Sequence, residues 1–188
     1  YEIRLSLVGS EMCIRDRLTL TRLDTAPAAE DVPVDVGAVV ERVEHMLSPL
    51  ARAVEVSLEL KLQPGCVVLA TEDDLYQIAF NLMENAVKYN LPGGRVLVTL
   101  TADGGRVVLR VEDTGVGIPK ADLPKIFDRF YRVDKARSRA AGGTGLGLSI
   151  VRDTVLQHGG AVTARRREPE GTCFEVSFAQ WNGEEVGR

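Results

Sequence analysis

Asn81, Asn85, Lys88 and Tyr89 stand three or four residues apart in Asn81-Leu-Met-Glu84-Asn85-Ala-Val-Lys88-Tyr89. On a helix that spacing gathers them on one face. Two carboxamides, an ammonium and a phenol beside an apolar stripe make a polar seam at a core edge. An amide oxygen is a hard, neutral ligand, suited to Mg2+ where phosphates supply the charge, and Lys88 can meet those phosphates. A solvated helix face is the other reading of the same residues.

Three more segments carry chemistry. Asp113-Thr114-Gly115-Val116-Gly117-Ile118-Pro119 follows a strand pattern directly. Its Asp can accept a hydrogen bond from the exocyclic amine of a base, and its glycines permit close backbone approach; a capped turn is the plainer reading. Phe127-Asp128-Arg129-Phe130-Tyr131-Arg132 lies in a stretch, 120–139, with seven basic residues against three acidic ones. A basic loop in an acidic chain suits a polyanion such as a triphosphate, although a solvated loop gives the same composition. Phe127 and Phe130 are expected to pack it down. Gly142-Gly143-Thr144-Gly145-Leu146-Gly147-Leu148 enters a helix pattern, where backbone N–H groups favour an anion. It matches neither GxxxxGK[ST] nor GxGxxG, since Leu148 stands where the last glycine is required, and it lies too late in the chain for a dinucleotide-binding loop.

The elements that must hold these segments are legible from periodicity. Leu75, Ile78, Ala79, Leu82, Met83 and Ala86 give one apolar stripe over 72–90, ended by Pro92-Gly93-Gly94. An earlier helix starts after the N-cap Asp35, with Val36, Val39, Val40, Val43, Met46, Leu47 and Leu50 inward. Alternation from Val54 to Leu62 predicts a half-buried strand, followed by a short apolar run over 67–70. Strands over 95–102 and 106–112 flank Asp103-Gly104-Gly105, a hairpin turn. Val107, Leu109 and Val111 face one way; Arg106, Arg110 and Glu112 face the other. A helix over 146–158 stops at Gly159-Gly160, and strands over 161–167 and 172–178 close the domain. Residues 25–33 read as a linker. Strands with hairpin connections beside three helices argue for an α+β, two-layer sandwich.

The 188 residues suffice for one domain with a short appendage. With a net charge of −4 the chain is a poor candidate for nucleic-acid binding, which needs a broad basic surface. No apolar run approaches the length needed to span a bilayer. The three cysteines, Cys13, Cys66 and Cys173, are odd in number and far apart, against a zinc site or disulfide framework. The two histidines, His45 and His158, read as structural.

In their order, the four segments resemble the N, G1, F and G2 boxes of the catalytic and ATP-binding domain of sensor histidine kinases, in the GHKL superfamily. The likeness covers 31–180, and Leu156-Gln157-His158-Gly159-Gly160 and Gly171-Thr172-Cys173-Phe174 resemble the family's closing segments. The resemblance implies a Bergerat fold: a mixed, largely antiparallel sheet with three main helices on one face, and ATP between the helices and a lid. Carried over by position, Asn85 is the Mg2+ ligand with Asn81 beside the metal or phosphates; these two and Lys88 form the catalytic set. Tyr89 lies against the nucleotide. Asp113 accepts from the adenine amino group, in a pocket shaped by Gly115, Gly117 and Ile118. Gly143, Thr144, Gly145, Leu146, Gly147 and Leu148 form the hinge and phosphate nest of the lid. Arg129 and Arg132 are the lid-side candidates for phosphate contact.

Relatives that hydrolyse ATP carry Glu as general base where this chain has Asn81, and an amide cannot take a proton. Glu84, beside Asn85, is a weak substitute. The resemblance therefore implies a kinase, which transfers the γ-phosphoryl of ATP to a histidine on a dimerisation hairpin, for relay to a response regulator receiver domain. These 188 residues show no His-Glu or His-Asp motif of such a hairpin, so the expectation is that it is missing here. Residues 18–30 resemble the remnant of its second helix plus a linker, and 1–17 resemble a translated adapter segment rather than native sequence. Residues 181–188 read as a tail. The expectation is a monomeric, N-terminally truncated, cytoplasmic fragment of a homodimeric protein anchored in the inner membrane. A GHKL serine kinase of the anti-sigma-factor type and a non-catalytic nucleotide-binding module are the alternatives.

Overall fold

The computed structural model describes residues 30–133 and 144–183. In chain order the elements are β1 (Val32–Asp35), α1 (Val36–Ala53), β2 (Ser57–Leu62), β3 (Val67–Ala70), α2 (Glu72–Lys88), β4 (Arg95–Asp103), β5 (Arg106–Asp113), α3 (Gly147–Gln157), β6 (Ala161–Arg166) and β7 (Thr172–Ala179). A 3-10 turn, Leu123–Lys125, lies in the long connection after β5. Five strands form one sheet in the order β2-β4-β5-β7-β6, while β1 and β3 make a separate two-stranded ribbon. Only β2 and β4 run parallel; every other neighbouring pair in the sheet is antiparallel.

Period two divides the sheet into faces. Val96, Val98 and Leu100 of β4, Val107, Leu109 and Val111 of β5, and Phe174, Val176 and Phe178 of β7 are buried against the helices. On the other face Arg110 and Glu175 sit opposite each other in register and form an ion pair of 2.6 Å. The helices supply the second layer: Val39, Val40, Val43 and Leu47 of α1, Ile78, Leu82 and Met83 of α2, and Val151 and Val155 of α3. Aromatics are scarce, so this core is built of Val, Leu, Ile and Met with Phe at its β7 edge.

Local signals set the boundaries. The Asp35 carboxylate accepts from Gly37 N (2.8 Å) and caps α1; the Thr71 hydroxyl accepts from Asp74 N (3.1 Å) and caps α2. Gly104 and Gly105 both take positive φ, as a two-residue hairpin turn demands.

Four expectations need correction. The linker ends earlier than expected: Val32 and Pro33 are already in β1, because the ribbon with β3 supplies partners for their backbone. The alternation from Val54 is broken, because α1 runs to Ala53 and Glu55 takes a left-handed φ of 59°, so β2 starts only at Ser57. Met46 lies outside the α1 core stripe and is 58% exposed. Phe130 does not pack the loop down: it is 69% exposed, with φ 64°, whereas Phe127 packs edge-on to Phe174 at 6.4 Å and Leu123 and Ile126 join it against the core.

Candidate functional site

One end of the molecule brings together the second half of α2, the end of β5, the start of β7 and the N-terminus of α3. Along α2, helical spacing puts Asn81, Asn85, Lys88 and Tyr89 on one side, all partly exposed. Asn81 donates through Nδ2 to Gln77 O (2.9 Å), so its carboxamide is oriented by its own helix. Among the described residues nothing bonds the Asn85 carboxamide, and it stands open to a ligand. Lys88 is not a free cation: Nζ pairs with Glu84, one turn back, at 2.9 Å. Glu84 is among the few buried charged groups, held by that lysine rather than aimed outward as a base. Tyr89 caps the helix, and its carbonyl accepts from Val116 N (3.2 Å).

Asp113 is the fourth inward residue of β5, after Val107, Leu109 and Val111, so strand alternation carries a carboxylate onto the core face. It is 6% exposed. Its Oδ1 accepts two backbone N–H groups, from Gly115 (2.8 Å) and Thr172 (3.2 Å). Oδ2 is left as the acceptor for something else. Burial pushes the carboxyl above the ordinary carboxylate range; the two N–H donors and the Arg167 charge oppose the rise. The loop that follows is pressed close. A Cβ on Gly115 would stand 2.3 Å from Tyr89 O, which seats this turn directly on the end of α2. Gly117 lies against Gly171, and Ile118 packs on the core edge.

At α3 the chain offers an unsatisfied helix start. Leu146 is the N-cap and makes no side-chain cap; its own N–H reaches the Thr144 hydroxyl at 3.4 Å. Among the described residues, no side chain caps the first-turn N–H groups of Gly147, Leu148 and Ser149. Gly147 faces α2 so closely that a Cβ would be 2.9 Å from Asn81 Oδ1. Leu146 is buried, and Leu148 packs against the core. Gly145 O accepts from Phe130 N (2.9 Å), joining the two sides of the basic loop at its base. Gly143 lies outside the described residues. Of the two arginines, Arg129 is engaged with Asp153 of α3 at 3.0 Å. Arg132 is different: Nε and Nη2 are buried with no hydrogen-bond partner among the described residues.

Sequence reasoning did not single out Gly171 and Thr172 as site residues. Gly171 takes φ +106°, and a Cβ there would be 1.9 Å from Asp113 O; Thr172 supplies the second N–H to Asp113. The Gly-Thr pair at a strand start was the available signal. Asn90 was also missed. Its Nδ2 donates to Ala86 O and Arg95 O (3.2 and 3.1 Å), and its Oδ1 accepts from Leu91 N and the Thr114 hydroxyl (3.0 and 3.3 Å). It thereby registers α2 against the loop after Asp113.

Comparison with known proteins gives the family and the fold. The family described as histidine kinase-, DNA gyrase B-, and HSP90-like ATPase matches residues 70–181. The sensor histidine kinase RppB of Synechocystis sp. is 37% identical over 167 residues, which is 88% of this chain and 37% of RppB. The mycobacterial sensor histidine kinase MprB superposes with a TM-score of 0.68 at 32% identity, covering 80% of this chain and 97% of that one. Full-length ShkA in complex with AMPPNP superposes at 0.75 and 33% identity, covering 90% of this chain and 36% of ShkA. The chain spans less than half the length of the curated relatives it matches. It belongs to the histidine kinase-, DNA gyrase B- and HSP90-like ATPase family, and its domain is homologous to those of sensor histidine kinases.

Proposed function

We propose that this domain binds MgATP at the α2–β5–α3 end and, in the intact protein, transfers the γ-phosphoryl to a histidine of a separate dimerisation hairpin. The observation that carries the reading is the division of the site into two kinds of unsatisfied group. Asp113 Oδ2 is an acceptor with no partner among the described residues, beside a close-packed glycine loop, and suits the amine of adenine. Among the described residues Arg132 Nε and Nη2 are buried donors without partners, and the α3 N-terminus adds N–H groups with no side-chain cap; both suit phosphate oxygens. The similarity to ShkA, whose structure was determined with AMPPNP, supports the same ligand here.

Among the described residues no cluster of three or more His, Cys, Asp or Glu side chains is placed to hold a metal. The donor set instead fits Mg2+ shared between the open Asn85 carboxamide and triphosphate oxygens, with Asn81 alongside. When bound, the ion neutralises phosphate charge. The protein's part is positioning: Asn81 held by Gln77, Asp113 by two backbone donors, Lys88 by Glu84. That is the contribution phosphoryl transfer most needs. Asn81 has no basic oxygen for activating water, which favours a protein acceptor over hydrolysis. Tyr89, Gly117 and Ile118 border the base, Arg129 and the segment from Thr144 to Leu148 the phosphates. Relay to a response regulator, homodimerisation through the hairpin and membrane anchoring of the whole protein follow from the kinship with sensor kinases. No helix among the described residues is long and apolar enough to cross a membrane. The hairpin remnant over 18–30 and the domain limits of 31–180 belong to the same proposal.

Equilibrium binding of a fluorescent ATP analogue, with and without Mg2+ and competed by ADP and GTP, tests the pocket. Adenine-selective, Mg2+-dependent binding is expected, followed by phosphorylation of an added histidine-bearing hairpin. Asn85→Ala is expected to abolish that transfer with its circular dichroism unchanged. Transfer that survives in Asn85→Ala refutes the metal assignment, and a folded chain that ignores ATP refutes the reading as a whole.

A further inference from the structure

His158 is the C-cap of α3, and its side chain is 1% exposed. Both ring nitrogens face carboxylates. Nε2 is 2.8 Å from Asp74, in the first turn of α2, and Nδ1 is 3.2 Å from Asp31, where the described chain enters the domain. A carboxylate only accepts, so both contacts are hydrogen bonds only if both nitrogens carry protons. A neutral ring would turn a lone pair toward one of the two anions. The ends of the helices favour the charged arrangement as well: a cation sits at the C-terminus of α3 and an anion at the N-terminus of α2.

The contact lies at one end of a helix pair whose other end is the candidate site. α3 starts with Gly147 pressed on Asn81 of α2 and finishes with His158 on Asp74. These two contacts lie at opposite ends of the α2–α3 pair, with the buried side chains of both helices between them. Asp31 adds the third body. It immediately precedes β1, whose Val32 pairs with Ala70, and Ala70 leads through the Thr71 cap into α2.

We infer that His158 is a positioning residue of the nucleotide site. As an imidazolium it clasps α3 to α2 through Asp74, and ties both to the incoming chain through Asp31. It touches no substrate. Its effect is to hold the α3 N-terminus and Asn81 at the separation a triphosphate needs, and to make that separation answer to the position of the chain entering at Asp31. The positioning role rests on the nucleotide-binding reading; the protonated clasp does not.

The full chain tests both. Long-range 1H–15N correlation of the unliganded protein at pH 7 is expected to show two ring N–H signals for one histidine, absent in His158→Gln. A single ring N–H for His158 overturns the clasp whatever the protein binds. His158→Gln and Asp74→Asn are each expected to weaken ATP binding about fivefold. The double variant is expected to be no weaker than either, because both remove one interaction. Asp31→Asn is expected to speed exchange of the Nδ1 proton and spare the Nε2 proton. Unchanged ATP affinity in folded His158→Gln and Asp74→Asn, with only a lowered Tm, overturns the positioning role and leaves a plain structural contact. A wild-type chain that binds no ATP removes the positioning role together with the functional reading, while the ring signals still judge the clasp.

Discussion

The Asp113 end and the α3 end of the site are built on opposite terms. Around Asp113 nearly every polar atom is paired within the fold: Oδ1 takes two backbone donors, Thr114 and Asn90 bond each other, and the glycines at 115 and 171 leave no spare space. Around α3 the fold leaves work undone. Among the described residues the helix start has no side-chain cap, two Arg132 donors are buried and idle, and Asn85 is open. Closed packing suits selection of a rigid, weakly polar base, where one misplaced atom decides affinity. Idle donors suit a triphosphate, whose charge supplies the acceptors that the protein lacks.

That contrast can be broken at several points. Gly171→Ala should have the largest effect. A Cβ at φ +106° and 1.9 Å from Asp113 O forces β7 away from β5, and a loss of stability of about 3 kcal/mol or more is expected in chemical denaturation. Asp113→Asn separates fold from recognition. Its Oδ1 can keep both backbone donors while Nδ2 replaces the free acceptor, so Tm should hold and ATP binding should weaken by about 1–3 kcal/mol. Equal affinity would refute Asp113 as the base-reading group. Arg132→Ala sharpens the other half. ATP should lose about tenfold in affinity while adenosine loses nothing, and the unliganded Tm should stay level or rise, since two unpaired buried donors are removed. Equal losses for ATP and adenosine would place Arg132 away from the phosphates.

The smallest effect is in pH. The Asp113 carboxyl titrates above its unfolded value because it is buried. The folded state therefore holds the proton more tightly than the unfolded state does. The resulting stability is complete below the unfolded value and is lost as pH rises through the folded one. An adenine amine needs the ionised form, so ATP affinity should fall as pH drops toward that same value. Titration of unfolding and of ATP binding in wild type and Asp113→Asn should show both trends in the first protein and neither in the second.

Local physics was enough for much of this molecule. The helical spacing of Asn81, Asn85, Lys88 and Tyr89, the caps at Asp35 and Thr71, the Gly104-Gly105 turn and the inward row of β5 depend on neighbours within a few residues. The alternation that buries Val107, Leu109 and Val111 also reaches Asp113, so even the buried carboxylate was legible in the strand pattern. The misread boundaries have local causes that pattern alone does not show: Glu55 in a left-handed conformation ends an apparent strand, and Phe130 turns outward with its backbone committed to Gly145.

The sequence by itself determined which chemical groups this protein carries and along which helix or strand they are arrayed, because backbone periodicity is a short-range property. Only the tertiary structure decided which of them are spoken for. Thr172 donates to Asp113 across 59 residues, Asp74 and Asp31 meet His158 across 84 and 127, and two nitrogens of Arg132 are buried without a partner among the described residues. Hydrogen bonds and desolvation depend on distances in space, and separation along the chain does not set those distances.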